Sequence, residues 1–382
     1  MKKIILLLTF ATIGITLRLL FANYGHNYDY ESFMIVADLV DKGKNVYANT
    51  PRYNYGPIWF LILHVLDLAT NSEHMFRMLL ALLLSVVDCA IAYILFLKYG
   101  YKAGILYLLN PISIIVTGFI SQFDNLAVLT ALLSMLLFGN NSEGKITYKN
   151  YLGLLLLGLS LSIKHVFFFF PFWLALKQKG KKRKLLSLVI PLGIFFIAFI
   201  PFLSGGGLDG IWENIFRYSS VKNAPLLNFF LPNSLVSTGL ANLLLILSLC
   251  LAGLYFYKRD VIDQLGIYSL VLVIFSPAII HNHLVIAVLG ISIFPNVFFL
   301  VFTILTSYIF TLDRLGLGIQ KLIDTAPKHF LFKYSSVNIF GIPILLLFLG
   351  FLYMNRHQWH AFKNFRHWLR EVFEEQRSEL TI

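Results

Sequence analysis

Apolar segments alternate with short polar segments along the whole chain. The hydrocarbon core of a bilayer is about 30 Å thick and requires about 20 apolar residues in a spanning helix. By that measure the pattern predicts an all-α, polytopic transmembrane helix bundle of about 10–13 helices. The apolar segments cover residues 4–22, 57–70, 76–97, 103–120, 125–139, 151–174, 186–203, 233–257, 262–280, 284–294, 297–312 and 337–354.

The composition supports a membrane location. Of the 382 residues, 58% are apolar and 13% are charged, whereas a soluble domain has roughly a quarter charged residues. This excess of apolar side chains exceeds what one water-soluble core can bury. The formal net charge of +12 would suggest a nucleic-acid partner in a soluble protein. Here the basic residues cluster beside apolar segments, so membrane lipids are expected as partners and nucleic acid is not.

Basic residues predict the orientation of the chain, because cytoplasmic loops are enriched in Lys and Arg. Lys2 and Lys3, the run of basic residues at 177–184, and Lys258-Arg259 are therefore expected inside. The basic, aromatic segment 356–382 is predicted to be an amphipathic cytoplasmic tail, following a transmembrane domain of residues 1–355. Polar segments predicted on the extracytoplasmic side of the cell (plasma) membrane are 23–56, 204–232, 281–283 and, despite its lysines, 313–335.

The first extracytoplasmic loop, residues 23–56, is the most acidic and is rich in Tyr. It is predicted to contain short amphipathic helices, one of them from Ser32 to Asp41. Asp29 lies among Tyr24, Tyr28 and Tyr30, and aromatic rings commonly form the walls of sugar sites. A general base must lie within hydrogen-bond reach of the proton that it removes. Asp29 is therefore either a catalytic base or a solvated loop residue.

Ionisable residues within apolar segments usually face a cavity or a partner. Arg18 either extends its side chain to the membrane interface or anchors an anionic head group. Asp88 is expected in a buried polar pair. Lys164 is either an interface anchor or a phosphate contact, and Asp124 either caps a helix or belongs to a site.

His281 and His283 flank Asn282 at the predicted outer end of a helix. Two histidines at this spacing can bind a metal, but a third ligand is not evident nearby in the sequence. Donation of hydrogen bonds to a phosphate is the alternative.

In their order along the chain, these residues resemble the motifs of GT-C glycosyltransferases. The resemblance is greatest to bacterial relatives of GPI mannosyltransferases and to the glucosyltransferases of asparagine-linked glycan assembly. It covers residues from about 15 to 295, with Gly56, His165, Asn282 and His283 departing from the family pattern. The motifs that carry it are Tyr28-Asp29-Tyr30-Glu31, Gly43 to Tyr47 with Tyr53-Asn54-Tyr55-Gly56-Pro57, Ser121-Gln122-Phe123-Asp124, Ser162-Ile163-Lys164-His165, and Pro277 with His281-Asn282-His283-Leu284.

The resemblance implies a hexosyltransferase, with mannose favoured, that uses a polyprenyl-phosphate donor and a glycan or lipid acceptor. It implies that Asp29 is the general base of an inverting reaction, with no required cofactor, although Asp29 and Glu31 could hold a divalent cation. Donor-phosphate contacts are expected from Arg18, Lys164, His281 and His283, and substrate contacts from Tyr28, Glu31, Tyr53, Tyr55, Gln122 and Asp124.

Two alternatives remain at this point. A transporter or flippase of a lipid-linked or anionic substrate would also be polytopic, but it typically shows repeat symmetry and broken helices near the membrane midplane. A non-catalytic scaffold would not require an acidic, Tyr-rich loop together with buried cations. The predicted topology also places Lys164 and Asp124 near the cytoplasm. Either these residues are structural or one short predicted span is wrong.

Overall fold

The computed structural model describes residues 2–140, 146–218, 223–232, 235–236, 238–313, 316–319 and 339–358. Within these ranges the chain forms helices and no strand, so the all-α prediction is confirmed there. The α-helices are α1 (Lys2–Tyr24), α2 (Tyr28–Asp41), α3 (Val46–Asn49), α4 (Pro57–Leu68), α5 (Glu73–Tyr99), α6 (Tyr101–Leu108), α7 (Pro111–Gly118), α8 (Asp124–Phe138), α9 (Tyr148–Ile163), α10 (Phe170–Lys177), α11 (Lys181–Ile197), α12 (Gly207–Ile211), α13 (Pro225–Phe230), α14 (Thr238–Phe256), α15 (Val261–Phe275), α16 (Val288–Ile293), α17 (Val297–Leu312) and α18 (Gly341–Met354).

Within the described ranges, four helical segments are long and apolar enough to cross a membrane. They are Lys3–Tyr24, Glu73–Tyr99, Lys181–Phe202 and Gly239–Phe256. Shorter apolar helices, among them α8, α15 and α17, accompany them. Many large apolar side chains on the long helices are exposed, as expected for surfaces that face lipid. The chain is therefore an apolar helical bundle suited to a membrane, while the number of crossings stays a prediction.

The first polar loop folds into helices, but the first of them begins earlier than predicted. Helix α2 starts at Tyr28, not at Ser32, because the Asn27 side chain accepts a hydrogen bond from the Asp29 backbone N–H at 3.0 Å. Asn is one of the preferred N-cap residues. Asp29 and Glu31 consequently lie in the first turn of a helix, where carboxylates are favoured by the helix dipole.

The apolar segment 151–174, predicted as one span, is two helices. Helix α9 ends at Ile163, Lys164 adopts an extended backbone with φ −150°, and a 3₁₀ turn from His165 to Phe167 precedes α10. Apolar content alone did not reveal this break. The backbone at Ser162 touches Gly56, which enters α4 from the first loop. Lys164 therefore lies at the same end of the bundle as the acidic loop, and the topological objection to its role is removed.

A second set of polar contacts gathers loops at the opposite end of the bundle. Asp260 accepts hydrogen bonds from Lys98 and from the amide of Asn140, and the Tyr99 hydroxyl donates to Asp263 at 2.5 Å. The ammonium of Lys177 donates to the Arg259 carbonyl at 2.6 Å. The chain thus has two polar ends separated by the apolar helices. Of the predicted tail 356–382, residues 359–382 lie outside the described ranges, as does most of segment 313–335.

Candidate functional site

Asp29 lines a small cavity at the acidic-loop end of the bundle. The cavity has a volume of about 320 Å³, and the Asp29 side chain is partly buried in its wall. Its other walls come from α2, from the segment between α3 and α4, and from the turn that contains His283. Among the lining residues are Tyr28, Ser32, Arg52 and Asn282. The carboxyl group predicted as a base therefore faces a cavity that is partly open to its surroundings.

A larger cavity of about 600 Å³ adjoins the small one. The two share four lining residues, Asn54, Tyr55, Tyr218 and His283. One part of the larger cavity is polar and basic, with Lys164, His165 and Arg217 in its wall. Another part is apolar and consists of side chains from α14 and α15, namely Leu245, Leu272 and Val273. The small cavity is therefore polar, and the larger cavity beside it has a cationic side and an apolar side.

A buried ion pair stands next to these cavities. The Lys164 Nζ lies 2.7 Å from Asp124 Oδ2 and donates to Gln122 Oε1 at 3.2 Å. The side chains of Lys164 and Asp124 are only 7% and 1% exposed. The predicted contact residues from two distant motifs are thus brought together. Asp124 occupies the first position of α8, and Phe123 rather than Asp124 precedes the helix as its N-cap.

Aromatic rings enclose the ammonium of Lys164. Its Nζ lies 4.9 Å from the centroid of the Tyr55 ring and 5.0 Å from that of Phe123. Such distances are typical of cation–π contacts. Phe123 in turn stacks on Trp59 of α4 with centroids 3.8 Å apart. The rings therefore fix the position of the cation relative to the first loop.

The environment of Asp29 alters its acidity. Burial raises the pKa of the Asp29 carboxyl above its ordinary value of 3.8, while the positive charge of Lys164 acts to lower it. The negative charge of Asp124 raises the same pKa. A carboxylate with a raised pKa is a better proton acceptor than a solvated one, which suits a general base.

Several buried polar atoms around the site have no hydrogen-bond partner within the described ranges. They are Ser121 Oγ, Gln122 Nε2, Asp124 Oδ1, His165 Nδ1 and Asn282 Oδ1. Buried polar atoms normally find partners, and exceptions often mark functional sites. His283 Nδ1 lies 3.1 Å from the Ala278 carbonyl oxygen, so a neutral ring donating there carries its lone pair on Nε2. The site therefore holds unused hydrogen-bonding capacity.

Arg18, expected as a phosphate contact, lies elsewhere. Its side chain is fully buried, and Nε lies 2.9 Å from Asp88 Oδ2. Nη1 and Nη2 donate to the Leu108 carbonyl and the Ser113 hydroxyl at 3.0 and 2.9 Å. Arg18 does not line either cavity. The buried polar pair expected for Asp88 is confirmed, and Arg18 is its partner because both residues lie inside the packed bundle.

His281 is also directed away from the cavities. Its Nε2 lies 3.0 Å from the Asp313 carboxylate, and its ring packs against Phe310 and Phe340. The neighbouring His283 alone faces both cavities. Two positions apart on a 3₁₀ turn, the two rings point in different directions.

Two predicted substrate residues have structural partners. Tyr53 is fully buried, donates to the Gly56 carbonyl at 2.6 Å and accepts from the Phe60 N–H. Glu31 is largely exposed and faces Arg52 at 3.5 Å, outside both cavities. By contrast, Tyr28 and Tyr55 line the cavity next to Asp29.

Sequence reasoning missed Arg52, Asn54 and Tyr218. The Arg52 guanidinium lies 3.7 Å from the centre of the Tyr28 ring and donates to Ser32 Oγ at 3.0 Å. Arg52 is the single Arg of the first loop, and this was an available signal for the residue. Tyr218 belongs to the distant second loop, and only the packing of that loop brings it here.

A metal site would require several His, Cys, Asp or Glu side chains close together. Among the residues that the structure describes, no group of three or more His, Cys, Asp or Glu side chains is arranged to hold a metal ion. Asp29 lines the small cavity, whereas Glu31 lies outside it and faces Arg52, so a divalent cation held by the two carboxylates stays a prediction.

No protein-family model, no curated protein and no solved structure matches this chain.

Proposed function

We propose that the chain is a membrane glycosyltransferase that transfers a hexose, with mannose favoured, from a polyprenyl-phosphate donor to a glycan or lipid acceptor. The observation that carries this proposal is the position of Asp29. Its partly buried carboxyl group lines a small polar cavity that adjoins a larger cavity having a cationic and an apolar side.

The acceptor occupies the small cavity in this proposal. One of its hydroxyl groups gives its proton to Asp29 while the hydroxyl oxygen attacks the anomeric carbon of the donor. The new glycosidic bond forms as the bond from that carbon to the phosphate oxygen breaks, so the configuration inverts. The lipid phosphate leaves as an anion, and no separate acid is needed. Tyr28 and Tyr55 supply aromatic walls for the sugar rings.

The donor occupies the large cavity. Leu245, Leu272 and Val273 contact the prenyl chain, and apolar surface of this kind favours the chain by burial. Arg217 lies in the polar wall, where it donates hydrogen bonds to the phosphate. The neutral ring of His283 presents the lone pair of Nε2 and therefore accepts a hydrogen bond instead of donating one to the phosphate. The volume of about 600 Å³ falls within the range of roughly 300–1,000 Å³ that ligand pockets occupy.

The site faces the extracytoplasmic side in this proposal. The basic run at 177–184 adjoins the opposite polar end, because Lys177 contacts the Arg259 carbonyl there. Clusters of Lys and Arg favour the cytoplasmic side of the cell membrane. Asp29 and both cavities lie at the other end.

The test uses purified protein with radiolabelled polyprenyl-phosphate mannose and, separately, polyprenyl-phosphate glucose. Asp29→Asn removes the base with little change in shape, so we expect product formation to fall by about 10²–10⁴-fold. Glu31→Gln is the matched control, since it neutralises a carboxylate two residues away that lies outside the cavities. Unfolding midpoints in detergent are expected to be similar for both variants.

Near-normal transfer by Asp29→Asn would remove Asp29 from the mechanism. Absence of transfer by the unmodified protein with either donor, together with movement of a fluorescent lipid-linked sugar across reconstituted vesicles, would favour the transporter alternative.

A further inference from the structure

The small cavity contains a permanent positive charge. Among the described residues that line it, Arg52 alone has a side chain that is always cationic. The Arg52 side chain is 23% exposed, so the protein covers most of it. Asp29 lines the same cavity. A ligand of this cavity therefore meets a guanidinium group as well as a carboxyl group.

Three contacts fix the position of the Arg52 guanidinium. Its Nε donates to Ser32 Oγ at 3.0 Å, and its Nη2 donates to the Tyr28 carbonyl oxygen at 3.1 Å. Its central carbon lies 3.7 Å from the centre of the Tyr28 ring. Ser32 Oγ donates to the same Tyr28 carbonyl at 3.1 Å, which connects the two anchors. Because the Tyr28 carbonyl belongs to the peptide bond that leads into Asp29, these contacts attach Arg52 to the backbone beside the carboxyl residue.

These contacts leave part of the hydrogen-bonding capacity of Arg52 unused. A guanidinium has five N–H donors, and within the described ranges Nη1 makes no hydrogen bond. Among the described residues, Glu31 alone has a carboxylate within 4 Å of the guanidinium; the distance is 3.5 Å and the Glu31 side chain is 54% exposed. An ion pair of this exposure contributes little energy. Arg52 is therefore held in place without a close, buried counterion.

Other polar atoms of the small cavity are hydrogen-bond acceptors. Asn282 is only 4% exposed, and its Oδ1 has no partner within the described ranges. His283 presents the lone pair of Nε2, because its Nδ1 donates to the Ala278 carbonyl. These atoms and the Asp29 carboxylate suit the hydroxyl groups of a sugar, which can donate to them. The Arg52 guanidinium suits an oxyanion instead, which Arg binds through charge-assisted hydrogen bonds.

We propose that Arg52 binds an oxyanion carried by the ligand of the small cavity, so that this ligand is an anionic sugar bearing a phosphate or a carboxylate group. That the sugar is the acceptor rests on the proposed function, whereas its binding in this cavity does not. Arg52 contacts the sugar directly, and Ser32 and Tyr28 are positioning residues that hold the guanidinium. The alternative is that Arg52 only tethers α2 to the segment after α3.

The experiment measures binding of three small sugars to the purified protein in a neutral detergent, with no donor present. The sugars are methyl glucoside, methyl glucoside 6-phosphate and methyl glucuronide, which carry a neutral group, a phosphate and a carboxylate at the same position. Isothermal titration calorimetry gives the three dissociation constants. We expect an anionic sugar to bind about 10–100-fold more tightly than the neutral one, as is typical of hydrogen bonds to a charged group. The anionic sugar with the larger preference identifies the oxyanion as phosphate or carboxylate.

Matched variants locate the anion. Arg52→Gln is expected to remove the preference for the anionic sugar and to change the affinity for the neutral sugar little. Arg52→Lys keeps the charge but lacks the planar fork, so part of the preference should remain. Lys44→Gln removes an exposed cation of the same loop that lines neither cavity, and the full preference is expected to remain. Arg217→Gln removes a cation that lines only the larger cavity, and the preference is expected to remain there too.

The proposal is overturned if the unmodified protein binds all three sugars equally, a result that does not depend on the folding of any variant. Equal weakening of neutral and anionic sugars by Arg52→Gln would overturn it as well, since Arg52 would then be only a tether. Loss of the preference in Arg217→Gln but not in Arg52→Gln would place the anion in the larger cavity. Absence of sugar transfer together with an intact preference would contradict the proposed function and leave the anion site in place.

Discussion

Two buried ion pairs in this chain look alike in the sequence but have opposite surroundings. Arg18–Asp88 and Lys164–Asp124 each join a cation and a carboxylate within apolar segments, at 2.9 and 2.7 Å. Around the first pair every polar group is occupied: Arg18 makes five hydrogen bonds, and Asp88 also accepts from Tyr107 and Ser113.

Around the second pair, Asp124 Oδ1 and Gln122 Nε2 have no partner within the described ranges, and Lys164 lines a cavity. The difference teaches that burial of a charge does not by itself indicate function. The first network, in which every hydrogen-bonding group has a partner, stabilises the junction of α1, α5 and α7. The second network has unpaired hydrogen-bonding atoms beside a cavity, and these atoms are available to a ligand.

The largest effect is expected from breaking the saturated pair. Arg18→Leu leaves Asp88 buried without a counterion, and we expect a loss of about 3–5 kcal/mol in the free energy of unfolding. Lys164→Met is expected to lose less, because Lys164 lines the larger cavity and its replacement lets water enter from there. Denaturant unfolding of both variants in the same detergent provides the measurement. An equal or larger loss for Lys164→Met would contradict the contrast between the two pairs.

A second substitution tests the contact that joins the first loop to the Lys164 segment. A Cβ at Gly56 would lie 1.8 Å from the Ser162 carbonyl oxygen, so Gly56→Ala must displace one of the two backbones. Overpacking of this kind typically costs about 1–3 kcal/mol, and transfer should fall as well. Gly193→Ala in α11 is the control, since nothing lies within 4 Å of its Cβ position. Unchanged stability in Gly56→Ala would mean that Gly56 and the Ser162 backbone are not in close contact in the folded protein.

The pH dependence of transfer should respond to substitutions near Lys164 but not to substitutions in the Arg18–Asp88 network. Asp29 acts as a base only when deprotonated, and burial raises its pKa above 3.8. Activity is therefore retained above the pKa of the folded state and falls about tenfold per pH unit below it. Initial rates across the acidic range provide the measurement, and Lys164→Met should move the decline to higher pH. Ser113→Ala, which alters only the Arg18 network, should leave the position of the decline unchanged.

The smallest effects come from two matched hydroxyl deletions. Ser113 Oγ accepts from Arg18 at 2.9 Å, so Ser113→Ala is expected to lose about 0.5–1.5 kcal/mol of stability. Ser121 Oγ is equally buried but has no partner within the described ranges. Ser121→Ala is therefore expected to be neutral or slightly stabilising in the same unfolding assay. A comparable loss at both positions would show that Ser121 has a partner in the folded protein.

Much of the candidate site could be predicted, and the misses have a common cause. Asp29, Tyr55, Lys164 and His283 were singled out in the sequence, and the structure brings all of them to the two cavities or to their immediate surroundings. Arg18 was misassigned because a cation in an apolar segment does not reveal which carboxylate it meets. The break at Lys164 was missed because the segment 151–174 is apolar on both sides of it.

The sequence by itself determined the helical class and the affinity for a membrane, because both depend on the local density of apolar residues. It also determined which residues carry charge within those segments. Only the tertiary structure decided the partners: it paired Arg18 with Asp88, turned His281 towards Asp313, and joined Asp124 to Lys164 in the wall of the larger cavity. Such pairings depend on which helices pack together and where each one ends, and these relations between distant segments are not encoded in any single local pattern.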